Sequence, residues 1–123
     1  MRFSGIVLRG NGSGRALGFP TANIAAADES LSGIYAAYVR AGYERYEAVV
    51  YADTRRKLLE AHLFHFKGDL YDKEITIELL AKLRDDKAFA DEEEARRTIA
   101  GDVTAAHKYF NRLALQEDKR VRQ

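Results

Sequence analysis

The strongest constraint on the fold of this chain is a change of hydrophobic period about two thirds of the way along it. Up to residue 83, short apolar runs alternate with turn residues, the pattern left by antiparallel strands that each bury one face. Residues 3–9, GIYAAYVR at 33–40, RYEAVVY at 45–51, LLEAHLFHF at 58–66 and EITIELLAKL at 74–83 are the strand candidates, for a count of five or six. The second and third flank Ala41-Gly42-Tyr43-Glu44, where glycine supplies the positive φ of a hairpin turn, and Lys67-Gly68-Asp69 offers another turn. The segment ELLAKL suits a helix by composition, yet Ile75, Ile77 and Leu79 alternate with Thr76 and Glu78 as in a strand.

Beyond residue 90 the period becomes helical. Asp91 is an N-cap with Glu94 three residues on, and Ala95, Ile99, Val103, Ala106, Phe110 and Leu113 recur at spacings of three or four. The expected architecture is therefore dominated by β-structure: a small closed or nearly closed antiparallel barrel, whose closure removes exposed strand edges, with one C-terminal amphipathic helix packed on it. A chain of 123 residues has room for one core, so residues 1–115 are read as one domain. The tail QEDKRVRQ, residues 116–123, is polar apart from Val121 and is expected to fray or be disordered.

The charge balance narrows the function classes. Twenty basic and 19 acidic residues leave a net charge of +1, which gives no uniform field for holding a nucleic-acid backbone. The absence of cysteine excludes disulfides and thiolate metal sites and suits a reducing compartment, so the expected location is the cytoplasm. No apolar stretch approaches the roughly 20 residues of a membrane span, and residues 1–8 lack the apolar run of a signal peptide, so no membrane partner is expected.

Residues 9–24, RGNGSGRALGFPTANI, hold four glycines, Gly10, Gly12, Gly14 and Gly18, and the only proline, Pro20. Such glycines let successive backbone N–H groups turn toward a phosphate, and Arg15 adds a planar charged fork. Glycine spacing alone does not separate this reading from an ordinary flexible loop, and neither a dinucleotide fingerprint nor a Gly-Lys-Ser/Thr loop is present. In the extended run Phe19-Pro20-Thr21-Ala22-Asn23, residues two apart face the same side, so the Thr21 hydroxyl and the Asn23 carbonyl converge. Neutral oxygens suit Mg²⁺ when phosphates supply the negative charge, although an isolated Thr and Asn also commonly cap a turn.

GRALGFPTANI resembles the most recognisable segment of the riboflavin kinase family, as found in bacterial bifunctional FAD synthetases. The resemblance implies that Thr21 and Asn23 bind a divalent metal, Mg²⁺ or another, and the nucleotide phosphates. With them, Gly10, Gly12, Gly14 and Arg15 become the nucleotide-binding loop. It also implies a small Greek-key barrel and transfer of the γ-phosphate of ATP to the 5′-hydroxyl of riboflavin, giving FMN and ADP.

In LLEAHLFHF, alternation puts Glu60 on one face with His62, Phe64 and Phe66. A charge among apolar neighbours is costly unless paired or used, and a lone strand glutamate is more often exposed or ion-paired than catalytic. The resemblance favours use: Glu60-Ala61-His62-Leu63, followed by Gly68-Asp69-Leu70-Tyr71, is similar to the family strand that carries the general base. His62 and His65 are read as structural or surface residues. The stretch KLRDDKAFAD, residues 82–91, is similar to the family's flavin-covering loop and implies that Arg84 and Phe89 contact the isoalloxazine ring; without the resemblance it is a charged connector.

The likeness spans residues 3–110, with two departures. The loop at 52–57, ADTRRK, lacks the Gly and Pro of the family's Gly-x-x-Pro-Thr pattern, and Tyr71-Asp72-Lys73 replaces Tyr-Gly-Lys. The sequence lacks the adenylyltransferase module found in bacterial relatives, so the expected product is FMN, made by a monomer from small-molecule substrates. The altered loop keeps two other readings open, a non-catalytic flavin- or nucleotide-binding module and a kinase for another small alcohol.

Overall fold

The computed structural model describes residues 1–9 and 18–121. Six strands run in chain order: β1 (Arg2–Ile6), β2 (Ala22–Ala25), β3 (Gly33–Ala41), β4 (Glu44–Asp53), β5 (Leu58–Leu63) and β6 (Glu74–Arg84), followed by one helix, α1 (Glu92–Val121). They form one sheet in the order β1-β6-β3-β4-β5-β2, and every pairing is antiparallel. The meander β3-β4-β5, with β6 returning to lie beside β3, is a Greek key. The two ends of the sheet approach each other where Leu8 bridges Asn23, its N–H donating to the Asn23 carbonyl at 2.8 Å, and this nearly closes the barrel.

Alternation decides what each strand buries. Ile24, Val39, Val50, Leu59, Ile75 and Ile77 turn inward and are fully buried. The ELLAKL segment belongs to β6, where its backbone pairs with β3, while β1 pairs with the first half of the strand, Glu74 to Glu78. The hairpin turn is Gly42-Tyr43, with Gly42 at φ 63°. Gly33 is required at the start of β3: its φ is 88°, and a Cβ there would overlap the Arg84 carbonyl oxygen, so only glycine lets β3 and β6 approach at this point.

A second core lies outside the barrel. Ile34, Ala36 and Val49 on the outer face of the sheet, with Phe64, pack against Ala106 and Phe110 of α1. The helix begins as the sequence predicts: Asp91 Oδ1 accepts from the Glu94 N–H at 2.8 Å, and Glu94 reaches back to the Ala90 N–H at 3.0 Å. It does not end as predicted. α1 continues to Val121, through most of the segment expected to fray, because Gln116, Glu117, Lys119 and Arg120 are good helix formers and the two basic residues oppose the helix dipole. Residues 114–120 are exposed, so those turns add length without adding to the core.

β1 is shorter than the sequence suggests, ending at Ile6, and β5 ends at Leu63. The 52–57 loop is a tight turn, tied by Asp53 Oδ1 accepting from the Arg56 N–H at 3.0 Å. Asp72 takes the left-handed conformation (φ 66°) that glycine favours, and its carboxylate meets Arg9 at 3.1 Å. Both departures from the family pattern are thus accommodated by local side-chain to backbone or side-chain pairs.

Candidate active site

One row of side chains crosses the outer face of the sheet. Asn23 of β2 stands opposite Glu60 of β5, Glu60 opposite Tyr51 of β4, Tyr51 opposite Ile34 of β3, and Ile34 opposite Arg84 of β6. Directly opposed residues in an antiparallel pair point to the same face, so register alone brings the amide, the carboxylate, the phenol and the guanidinium into one line. A pocket of about 330 Å³ lies over this row. Ile99 and Asp102 of α1 form one wall and residues 86–89 overhang it. That volume is in the range of small-molecule sites.

Asn23 is buried, and its Oδ1 has no hydrogen-bond partner among the described residues. An unpaired buried carbonyl oxygen is costly, typically about 1–3 kcal/mol, and such a cost is retained where a ligand supplies the missing partner. Across from it, burial pushes the Glu60 carboxyl up from the ordinary carboxylate value; Arg56, 3.8 Å away, opposes the shift, and Asp53 reinforces it. Burial wins because the Arg56 side chain is 44% exposed, so water screens its charge, while Glu60 is 19% exposed.

At the other end of the row, Arg84 is held by Asp102 through Nε at 2.6 Å and Nη2 at 2.8 Å, and its Nη1 donates to the Asp85 carbonyl. The bidentate bond to Asp102 pushes the Arg84 pKa up further. The Tyr51 hydroxyl donates to Asp86 at 3.0 Å, and its pKa is raised by burial first and that bond second. Residues 85–91 are thereby pinned over the pocket from two sides, with Lys87 also meeting Glu94 at 3.3 Å.

A second cavity, of about 350 Å³, opens at the mouth of the barrel between Pro20 to Ala22 and the turn at 66–71. Thr21 lines both cavities. Among the described residues no group of three His, Asp or Glu side chains is arranged to hold a metal unaided. The donor set of the Thr21 hydroxyl, which lines both cavities, and the unpaired amide oxygen of Asn23 two residues on fits a hard cation that arrives with phosphate ligands of its own.

Of the residues singled out from sequence, Thr21, Glu60, Arg84 and Phe89 line the first pocket, and Asn23 lies in the row beneath it. Gly10, Gly12, Gly14 and Arg15 lie outside the described residues. His62 lines the first pocket as well, whereas His65 is exposed in the turn after β5 with φ 60°. Tyr51, Asp86 and Asp102 were not foreseen. The signal for Asp102 was a carboxylate set among the apolar positions of the helix, between Ile99 and Val103 on one side and Ala106 on the other.

The fold is thus a nearly closed six-stranded Greek-key barrel with two cavities that share Thr21 in their lining. The chain belongs to the riboflavin kinase family, whose Flavokinase domain it matches over residues 1–110. It is 35% identical over 119 residues to the bifunctional riboflavin kinase/FMN adenylyltransferase of Buchnera aphidicola subsp. Acyrthosiphon pisum, covering 88% of this chain and 38% of that protein. The protein of the same description from Escherichia coli K12 is 34% identical over 116 residues, 87% of this chain and 37% of that one. This chain therefore spans well under half the length of these relatives. A crystal structure described as a macrolide-efflux protein from Streptococcus pneumoniae superposes with a TM-score of 0.74 at 24% identity, covering 86% of this chain and 38% of that chain, which speaks to the fold alone.

Proposed function

We propose that the chain is a riboflavin kinase, transferring the γ-phosphate of ATP to the 5′-hydroxyl of riboflavin to give FMN and ADP. The observation that carries this reading is the pairing of Glu60 with Asn23: a carboxylate with raised pKa that lines the first cavity, directly across from an unpaired buried amide oxygen two residues after Thr21, which lines both cavities. The first cavity, apolar and flanked by Arg84 and Phe89, suits the flavin ring; the second, at the barrel mouth, suits the nucleotide. The acting unit is residues 1–115, a cytoplasmic monomer working on small molecules without nucleic acid or membrane.

In this reading Glu60 accepts the proton of the ribityl hydroxyl as its oxygen bonds to the γ-phosphorus and the bond to the ADP oxygen breaks. A carboxylate whose pKa is raised by burial is a better proton acceptor than a fully solvated one. The Thr21 hydroxyl and the Asn23 carbonyl would hold Mg²⁺, which when bound neutralises phosphate charge. Gly10, Gly12, Gly14 and Arg15 would supply amides and a guanidinium to the phosphates. Arg84, fixed by Asp102, keeps its planar face available to an aromatic ring, and Phe89 covers that ring from the overhang.

Incubation with riboflavin, ATP and Mg²⁺ should yield FMN and ADP in equal amounts, separated by chromatography. Tight flavin binding without FMN would mark the chain as a binding module instead, and turnover of a different alcohol in place of riboflavin would reassign the substrate.

A further inference from the structure

His62 stands two residues after Glu60 on β5, on the same outer face, and its Nδ1 lies 2.9 Å from the carbonyl oxygen of Pro20. A proline carbonyl can only accept, so Nδ1 must carry the proton and donate. This makes Nδ1 the donor, and leaves Nε2 with no hydrogen-bond partner among the described residues. The ring is clamped edge-on between Phe19 at 5.7 Å and Phe64 at 5.8 Å, and Phe64 in turn stacks on His107 of α1 at 4.2 Å. His62 faces the first cavity and Pro20 the second, so the bond crosses the partition between them.

The bond acts where the chain has few other restraints. β2 begins only at Ala22, so no strand ladder holds Phe19, Pro20 or Thr21. Pro20 has no N–H, and its carbonyl is the acceptor immediately before Thr21. A fixed Pro20 carbonyl fixes the plane of the peptide that leads into Thr21, and so restrains the backbone from which the Thr21 side chain projects, two residues before Asn23.

We propose that His62 is a positioning residue: its Nδ1–H orients the Pro20–Thr21 peptide so that the Thr21 hydroxyl is preset toward the metal and phosphates, and the free Nε2 is not required. The part concerning ligands rests on the riboflavin kinase reading; the part concerning the backbone does not.

Two near-isosteric variants separate the ring nitrogens, because the amide nitrogen of asparagine reaches the place of Nδ1 and that of glutamine the place of Nε2. His62→Asn should keep the Pro20 bond, while His62→Gln should lose it. In the ligand-free proteins, amide hydrogen exchange over residues 19–22 should stay near that of the parent chain in His62→Asn and quicken in His62→Gln. Binding of Mg²⁺ with ADP should weaken by about tenfold in His62→Gln, the effect of one lost hydrogen bond, and by much less in His62→Asn. Riboflavin affinity should differ little between the two.

If both variants exchange and bind like the parent, the bond has no positioning role; if both loosen equally, ring packing rather than Nδ1–H holds the segment, and the proposal fails either way. Should the parent chain make no FMN, the functional reading falls, while the exchange comparison still decides whether Nδ1–H holds the Pro20–Thr21 peptide.

Discussion

Arg84 at the end of β6 and Asp102 on α1 join the helix to the barrel through a two-point bond, 2.6 Å from Nε and 2.8 Å from Nη2, with the Asp102 side chain only 8% exposed. The pair does two things at once. It seats the N-terminal half of α1 on the sheet, and it turns the guanidinium into part of the wall of the first pocket. Neutralising one partner leaves the other partly buried without its counter-charge, which is the costly way to break such a pair.

Asp102→Asn should therefore lower stability by about 1–3 kcal/mol, or roughly 4–12 °C in melting temperature for a domain of this size. Replacing both partners, Arg84→Met with Asp102→Leu, should recover much of that loss, because no charge is then stranded. Riboflavin affinity should fall in both variants. A double variant that melts no higher than Asp102→Asn while keeping full flavin affinity would contradict this account of the pair.

The fold was largely readable in the sequence because strand burial leaves a local trace. β5 and the first half of β6 alternate, so Ile75, Ile77 and Leu79 mark β6 as a strand despite the helical look of ELLAKL. β3 and β4, buried on both faces in places, are marked by apolar runs long enough to stand out between turns. β2 left no such trace: Ala22, Asn23 and Ile24 are all buried, so alternation is lost over a strand of four residues. The polar end of α1 leaves no mark in the hydrophobic period, which reports packing, because those turns rest on helix propensity alone.

The site was readable only in part. Glu60 and Asn23 attracted notice separately, but their opposition depends on the register between β2 and β5, a non-local fact that no window of sequence contains. Tyr51 looked like an ordinary strand aromatic until the register placed it beside Glu60 and under Asp86. Asp102 announced itself as a carboxylate in an apolar stripe, a signal that pattern reading passes over when it counts only the apolar positions.

Asn23 gives a test in which stability and function move in opposite directions. Its Oδ1 is buried and unpaired, so Asn23→Leu removes a desolvated polar atom while keeping the branching of the side chain. The variant should melt at or above the parent, by up to about 1 kcal/mol, while affinity for Mg²⁺ with ADP falls by at least about tenfold and riboflavin affinity stays within about threefold. Calorimetry for each ligand and a thermal melt suffice. A destabilised variant that still binds the metal-nucleotide normally would make Asn23 a structural residue.

Glu60 carries the most specific prediction, because its raised pKa ties catalysis and stability to pH with definite signs. Its folded pKa lies above the unfolded value, chiefly through burial, so the stability contributed by its protonated form is fully present below about pH 4 and is lost as pH rises through the folded pKa. Glutamine does not titrate. Glu60→Gln should accordingly match the parent in melting temperature near pH 4 and equal or exceed it at pH 8. As a base, the ionised carboxylate should make kcat/KM for riboflavin rise with pH through an apparent pKa above that of an ordinary glutamate. Glu60→Gln should lower kcat by about 10² to 10⁴ and leave riboflavin and nucleotide affinities nearly unchanged. Melting curves at the two pH values and FMN formation, taken on one preparation, give both signs together. If the variant instead melts lower at pH 8 and keeps its turnover per folded molecule, Glu60 is half of a structural ion pair with Arg56, and the proton goes elsewhere.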